Sequence, residues 1–262
     1  GEIDFIGGTQ GEQGATRFAS REMQVQFDPR TRQVLSIGSR GDVSISDGNQ
    51  IVTGGRFDYD AATGNAEMQE RPVMWRGDSQ LRADRLIYNE NDGMLRMLGH
   101  VEAVTSAPDK RSASPGLLGD DERGKPADER IKVTAGNGSY DDVRDTLDFQ
   151  DDVNMSWGIW NIRSDSVRME MDPVTGDLRM ADALGGVTIH HEKFDATGHS
   201  LTYNPENSIL ILRGTKEQKC LVKQGERGSQ GDEIRFLVDE NRFSISNGMS
   251  MIMPGEMTGS LR

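Results

Sequence analysis

The chain contains 262 residues, with 43 acidic and 30 basic side chains and a formal net charge of −13. Hydrophobic residues make up 34% of it, and the 31 glycines bring the apolar share to a value normal for a folded globular protein. This composition excludes disorder of the whole chain. The negative charge disfavours nucleic acid as a partner, because it repels phosphate backbones. No apolar run approaches the roughly 18–20 residues of a membrane-spanning helix.

A short pattern recurs along the chain at intervals of about 30 residues. An anchor residue, usually aromatic, ends a segment of alternating apolar and polar residues, and Asp or Asn usually follows it. Apolar residues return seven and nine positions after the anchor. In the first copy this return is one residue late. The first three copies are Phe27 with Leu35 and Ile37, Tyr59 with Ala66 and Met68, and Tyr88 with Leu95 and Met97.

The interval between the third and fourth anchors is longer because residues 105–130 intervene. This segment is polar and charged and contains three prolines, Pro108, Pro115 and Pro126. It cannot bury enough apolar surface to offset the entropy cost of ordering, so we expect a disordered loop inserted into one repeat.

Four further copies follow the inserted segment and bring the total to seven. Two of them depart from the usual anchor: one has methionine in place of the aromatic residue, and the last lacks the following Asp or Asn. The four copies are Tyr140 with Leu147 and Phe149, Met171 with Leu178 and Met180, Tyr203 with Leu210 and Leu212, and Phe236 with Phe243 and Ile245.

The pattern within each copy is typical of β-hairpins. Apolar residues alternate with charged ones before and after the anchor, and turn formers such as Asn91-Asp92-Gly93 separate the two segments. No segment has apolar residues at helical spacing over three turns. We therefore expect an all-β fold in which residues 1–262 form one elongated stack of repeats, with two antiparallel sheets closing their apolar faces on each other.

Three segments resemble the LptA/OstA family of lipopolysaccharide-transport proteins. The similarity is clearest at Ala83–Tyr88 with Leu95–Val101, and at Gly231–Val238; residues 194–214 fit another copy. The resemblance implies a twisted, partly open β-jellyroll whose interior holds acyl chains. It also implies a periplasmic location, end-to-end association with other jellyroll subunits (further copies or transport-complex partners), and movement of lipopolysaccharide towards the outer membrane. The absence of a basic, apolar leader fits the mature part of an exported protein.

The anchors and their neighbours are the candidate lipid-binding residues, since they should point inward and acyl burial contributes about 0.8 kcal/mol per methylene. Lipopolysaccharide, or another glycolipid, is the expected ligand. The set is Phe27, Leu35, Ile37, Tyr59, Met68, Leu86, Tyr88, Leu95, Met97, Tyr140, Leu147, Phe149, Met169, Met171, Met180, Tyr203, Leu210, Leu212, Ile234, Phe236 and Ile245.

Open sheets leave edge strands that can pair with another chain. We expect such edges around Arg17–Phe27 and at Gly248–Met253, and the candidate assembly residues there are Val25, Met249, Met251 and Met253.

The sequence predicts no catalytic site, cofactor or metal. His190 and His191 are neighbours on a predicted strand and so point to opposite faces, and the acidic run at 141–152 lacks the glycine and spacing of a calcium loop. Cys220 is the single cysteine. Two alternatives remain open at this point: a parallel β-helix enzyme acting on an acidic polysaccharide, and a structural or adhesive β-stack with a fully packed interior.

Overall fold

The protein folds almost entirely as antiparallel β-strands. The computed structural model describes residues 1–48, 50–106, 130–174, 176–240 and 242–252. Strand contacts divide the chain into unit 1, Gly1–Ala107 with Arg130–Asp151, and unit 2, which contains the described residues from Asp152 onward. The pairings seen between the described strands are antiparallel in both units, so the predicted all-β jellyroll class is confirmed and the parallel β-helix alternative is wrong.

Unit 1 begins with four long strands, continues with four short ones and ends with long strands. Its strands are β1 (Glu2–Gln13), β2 (Thr16–Phe27), β3 (Val34–Ser46), β4 (Gln50–Asp60), β5 (Asn65–Gln69), β6 (Val73–Arg76), β7 (Ser79–Arg82), β8 (Arg85–Asn89), β9 (Met94–Ser106) and β10 (Arg130–Asp141). β11 (Thr146–Trp157) has residues in both units.

Unit 2 repeats this mixture of long and short strands. It contains β12 (Trp160–Met171), β13 (Leu178–His191), β14 (Phe194–Asn204), β15 (Ile209–Arg213), β16 (Cys220–Gln224), β17 (Arg227–Gly231), β18 (Glu233–Leu237), β19 (Arg242–Ser246) and β20 (Met249–Ile252), with a 3-10 turn at Val238–Glu240.

Each unit has long strands that pair with two short strands, one along each half. In unit 1, β4 pairs with β5 along one half and with β6 along the other. Two branches, β5–β8 and β6–β7, then meet again on β9. In unit 2, β14 divides in the same way into the branches β15–β18–β19 and β16–β17–β20.

Backbone bends separate the two halves of the long strands. On β9 the bend lies at Gly99 and His100, which both have positive φ, 73° and 46°. Asp84 occupies the gap between β7 and β8 opposite this bend: its N–H donates to the Gly99 carbonyl at 2.8 Å, and its carboxylate contacts His100 Nδ1 at 2.8 Å. Similar pairs of left-handed residues lie at Gly41–Asp42 on β3 and Gly185–Gly186 on β13. The bends allow one strand to contribute to both branches.

Three residues at the ends of the predicted inserted loop, Thr105, Ser106 and Arg130, lie in strands. Thr105 and Ser106 extend β9, and Arg130 opens β10; Arg130 pairs with Ser106, and Ile131 pairs with Thr105. The prediction of 105–130 is therefore wrong at its boundaries, because the strand ladder continues past the last apolar residue. Residues 107–129 lie outside the described residues.

None of the described residues forms a helix with the length and apolarity needed to cross a membrane.

Candidate functional site

Unit 1 has a row of side chains that crosses seven strands on one face, which we call the inner row. Its members lie directly opposite one another in the register of neighbouring strands, so they share a face. Six of the seven are apolar. In strand order they are Phe5, Met23, Ser39, Phe57, Met68, Leu86 and Met97.

Burial of the inner row changes from one end to the other. Phe5 on the first strand is 40% exposed and Met23 is half-buried, whereas Phe57 is 9%, Leu86 2% and Met97 0% exposed. The row is therefore covered by protein at its β9 end and open at its β1 end. Apolar surface left open beside a continuous buried core is a typical site for an apolar ligand.

A second row runs beside it, two residues along each strand, and we call it the outer row. It is less buried than the inner row: Ile3 is 46% and Tyr88 37% exposed, and Val25, Ile37 and Tyr59 are half-buried. The row consists of Ile3, Val25, Ile37, Tyr59, Ala66, Tyr88, Leu95 and Tyr140.

The tyrosines of the outer row all donate hydrogen bonds to carboxylates in nearby turns. Tyr59 donates to Glu90 at 3.0 Å, Tyr88 to Asp142 at 3.0 Å, and Tyr140 to Asp145 at 2.8 Å. The pKa of each phenol is raised, mainly because the group is buried and secondly because it donates a hydrogen bond to its acidic partner. At this end of unit 1, the side chains of the outer row therefore lie next to acidic side chains of the turns.

A third row lies beyond the bends of the long strands. It contains Phe18, Ile45, Val52, Met74, Leu81, Ala103 and Val133. The Phe18 ring contacts Phe57 of the inner row, with centroids 5.9 Å apart. Leu81 and Val133 are buried, whereas Phe18, Ile45 and Val52 are only half-buried. The apolar face thus continues past the bends and is again less covered near the first strands.

Unit 2 contains a packed aromatic cluster centred on Trp160, which is 5% exposed. The Trp160 ring contacts Trp157, His191, Phe194 and Phe236 at centroid distances of 4.6–6.0 Å. His191 stacks on Phe194 at 4.5 Å, and its Nδ1 accepts a hydrogen bond from the Lys193 N–H at 3.1 Å. Contacts of this number fix the rings in place, so this cluster serves as packed core.

The acidic and histidine clusters of the sequence have structural roles. Asp141 accepts backbone hydrogen bonds from Val143 and Arg144 in the turn after β10. His190 and His191 are neighbours on β13, one exposed and one buried. Among the described residues, no three His, Cys, Asp or Glu side chains are grouped so that they could hold a metal ion.

The sequence-predicted lipid-binding residues fall into three classes of burial. Only Leu35 and Tyr88 are exposed: Leu35 lies at the start of β3, and Tyr88 reaches out to Asp142. The half-buried members are Phe27, Ile37, Tyr59, Tyr140, Leu147, Met171, Met180 and Ile245. The buried members are Met68, Leu86, Leu95, Met97, Phe149, Met169, Tyr203, Leu210, Leu212, Ile234 and Phe236.

The structure places the first sheet edge at β1 and not at β2, where the sequence predicted it. Val25 lies on β2, which pairs on both sides, with β1 and β3. The prediction of an edge at Arg17–Phe27 is therefore wrong, because Glu2–Gln13 adds a further strand outside it. At the other end Met249 is 64% exposed and pairs with Gln230, and Met251 pairs with Gly228. Met253 lies outside the described residues.

Sequence reasoning missed several members of the two rows, namely Ile3, Phe5, Met23 and Phe57. Met23 and Phe57 lie two residues before Val25 and Tyr59, so a longer window of period-two alternation would have found them. Ile3 and Phe5 lack that signal, because Gly7 and Gly8 interrupt the alternation of β1.

Comparison with known proteins gives one family. The model of the family described as "LptA/(LptD N-terminal domain) LPS transport protein" matches residues 2–94 and 132–242, which is more than half of the chain and lies in both units. One similar solved structure is LptH from Pseudomonas aeruginosa, described as the LptA homologous periplasmic component of the lipopolysaccharide transport device. It is 15% identical, covers 47% of this chain and 95% of its own, and has a TM-score of 0.41. No curated protein matches the chain.

Proposed function

Because the chain belongs to the family of LptA and LptD N-terminal-domain lipopolysaccharide-transport proteins, we propose that it carries lipopolysaccharide, or a related glycolipid, by its acyl chains on the inner and outer rows of unit 1. Membership of this family places the chain among transport proteins rather than enzymes. The location that we propose is the periplasm, with transfer directed towards the outer membrane.

The gradient of burial along the inner row is the observation that supports this proposal. An acyl chain laid along the row from Phe5 would cover apolar surface that the protein itself leaves open. Each methylene removed from water contributes about 0.8 kcal/mol, so a chain of a dozen carbons offers roughly 10 kcal/mol before the costs of binding. The net charge of −13 gives no long-range attraction for anionic headgroups, so acyl burial supplies the affinity. A structural or adhesive β-stack would need an interior that is packed throughout, whereas the inner row of unit 1 is open at its β1 end.

Site-specific photo-crosslinking tests the proposal. A benzoylphenylalanine that replaces Phe5 or Met23 is expected to crosslink lipopolysaccharide when the purified protein is illuminated. The matched control carries the same probe at Gln24, which is next to Met23 on β2, exposed and on the opposite face. Equal labelling at Met23 and Gln24, or none at Phe5 and Met23, would contradict binding on the inner row.

We also propose that β1 and β20 are the surfaces by which subunits associate end to end. β1 is long, and its pairing within the described part of the chain is with β2 alone; such an edge can accept a strand from another chain. A photo-crosslinker at Gly11, where an added Cβ meets no atom within 4 Å, is expected to give covalent dimers. The same probe at Glu206, in the exposed β14–β15 turn, should give monomers, because neither β14 nor β15 pairs with β1 or β20 among the described residues. Dimers in equal yield from both positions would contradict this assignment.

A further inference from the structure

Ser39 is the polar exception in the inner row. It is 2% exposed, and its Oγ is buried without a hydrogen-bond partner. The residues directly opposite are Met23 on β2 and Phe57 on β4, neither of which has a side-chain group that can accept a strong hydrogen bond. A hydroxyl buried in this way costs stability, because it has given up water and received nothing in exchange.

Two other buried serines show how this fold normally satisfies such a group. Ser20 on β2 donates to the carbonyl of Glu22, and Ser164 on β12 donates to the carbonyl of Ser166, both at 3.0 Å. Both serines lie where the strand register shifts, so a carbonyl two residues along the strand turns towards the hydroxyl. Ser39 is paired in register with both Met23 and Phe57, just before the register shift of β3, and no carbonyl accepts a hydrogen bond from it.

The position of Ser39 indicates what it faces. It lies between half-buried Met23 and nearly buried Phe57, at the point of the row where the protein's own cover becomes complete. A chain entering from the open β1 end reaches Ser39 before Met68 and Met97. Flexible methionine side chains on this path can move aside for a guest.

We propose that the Ser39 hydroxyl selects acyl chains that carry a hydroxyl substituent, such as β-hydroxyacyl chains, over unsubstituted ones. The inference rests on the proposed function, since it assumes that acyl chains occupy the inner row. A plain chain leaves Ser39 unpaired, whereas a β-hydroxyl supplies both a donor and an acceptor inside the apolar row. The pairing would remove the cost that the empty protein bears.

The test compares myristate with β-hydroxymyristate by isothermal titration calorimetry on the full chain. Both probes have the same length and carboxylate, so their difference isolates the hydroxyl. We expect the protein to bind β-hydroxymyristate about three- to tenfold more tightly, the net value of one buried hydrogen bond. Ser39→Ala is expected to make the two affinities equal.

Ser36→Ala is the matched control. Ser36 lies on the same strand but on the outward face, where its hydroxyl donates to Gln26 at 3.3 Å, so this variant should keep the preference. Equal affinities in the unmodified protein, or a preference that survives Ser39→Ala, would overturn the role of Ser39 and leave the proposed function standing. Failure of both probes to bind would overturn both proposals. A melting temperature of unliganded Ser39→Ala below that of the unmodified protein would also count against an unpaired hydroxyl.

Discussion

Tyr88 on β8 donates its phenolic hydrogen to Oδ2 of Asp142, 3.0 Å away in the turn after β10. The bond skips over β9, so it ties together two strands that are not neighbours in unit 1. Tyr59 and Glu90 form the equivalent bond one step earlier along the outer row. Two of the tyrosines that the sequence marks as repeat anchors, Tyr59 and Tyr88, therefore connect successive hairpins through their hydroxyls.

The Tyr88–Asp142 bond predicts a shift in phenol ionisation. Burial, and then Asp142, raises the pKa of Tyr88 above its usual value near 10. A raised folded-state pKa means that this group's stabilisation is complete below pH 10 and is lost as the pH rises through the folded value. Asp142→Asn should lower the pKa of Tyr88 in an ultraviolet phenolate titration, with Tyr88→Phe identifying the signal. An unchanged titration curve would contradict the bond.

We predict that shortening a side chain at the covered end of the inner row strongly lowers the stability of the protein. Met97 is fully buried, so Met97→Ala should lower the free energy of unfolding by about 2–5 kcal/mol through the lost contacts and the cavity. Met249, which is 64% exposed, provides the control: Met249→Ala should change it by less than about 0.5 kcal/mol. Urea unfolding followed by circular dichroism measures both, and similar losses in the two variants would show that burial is not the cause.

The bend in β13 predicts that one glycine is indispensable. Gly185 has φ of 79°, and a Cβ there would collide with the Asp165 carboxylate. Gly185→Ala should therefore destabilise the protein by more than about 1 kcal/mol. Gly11→Ala on β1 is the comparison, because its φ is ordinary and an added Cβ meets nothing within 4 Å. The melting temperature should fall for the first variant and change little for the second.

Burial also predicts that Cys220 is chemically inert. The thiol is fully buried and contacts the Leu212 carbonyl at 3.3 Å, and burial raises its pKa to about 11. Because the thiolate is the reactive form, iodoacetamide should label the native protein far more slowly than the urea-unfolded chain at pH 8. Rapid labelling without denaturant, followed by mass spectrometry, would show that this part of unit 2 opens readily.

The bend in β9 predicts a pH-dependent contribution from His100. Its hydrogen bond to Asp84, followed by the charge of that carboxylate, raises the pKa of His100. The stabilisation is complete below the unfolded value near 6.5 and disappears as the pH rises through the higher folded value. The difference in melting temperature between the unmodified protein and His100→Asn should therefore be greater at pH 5 than at pH 9. An equal difference at both pH values would show that the charge is irrelevant.

The sequence predicts the strands well because alternation directly records which face is buried. Tyr203, Leu212 and Phe236 were expected to point inward, and all are buried. Tyr88 follows the same pattern yet is 37% exposed, because the pattern reports the direction of a side chain and not how much protein covers it. Cover depends on strands that are distant in sequence.

The bends were not predictable from alternation, because they depend on pairs of left-handed residues. Gly99–His100 and Gly185–Gly186 contain glycine, which is a usable signal for positive φ. Asp151–Asp152 adopts positive φ without any glycine, so composition alone does not mark it. Ser39 could not be singled out either, since serine is common in this chain and the lack of a partner appears only in three dimensions.

The exposure of β1 has a consequence for how the molecule opens. Its side chains are exposed along nearly the whole strand, and Gly7 and Gly8 interrupt its ladder with β2. Little apolar contact has to be broken to detach it, whereas β9 lies between strands on both sides and holds Met97 in the core. Amide hydrogens of β1 should thus exchange with deuterium well before those of β9, and the interior of unit 1 should become accessible by release of this one strand without global unfolding.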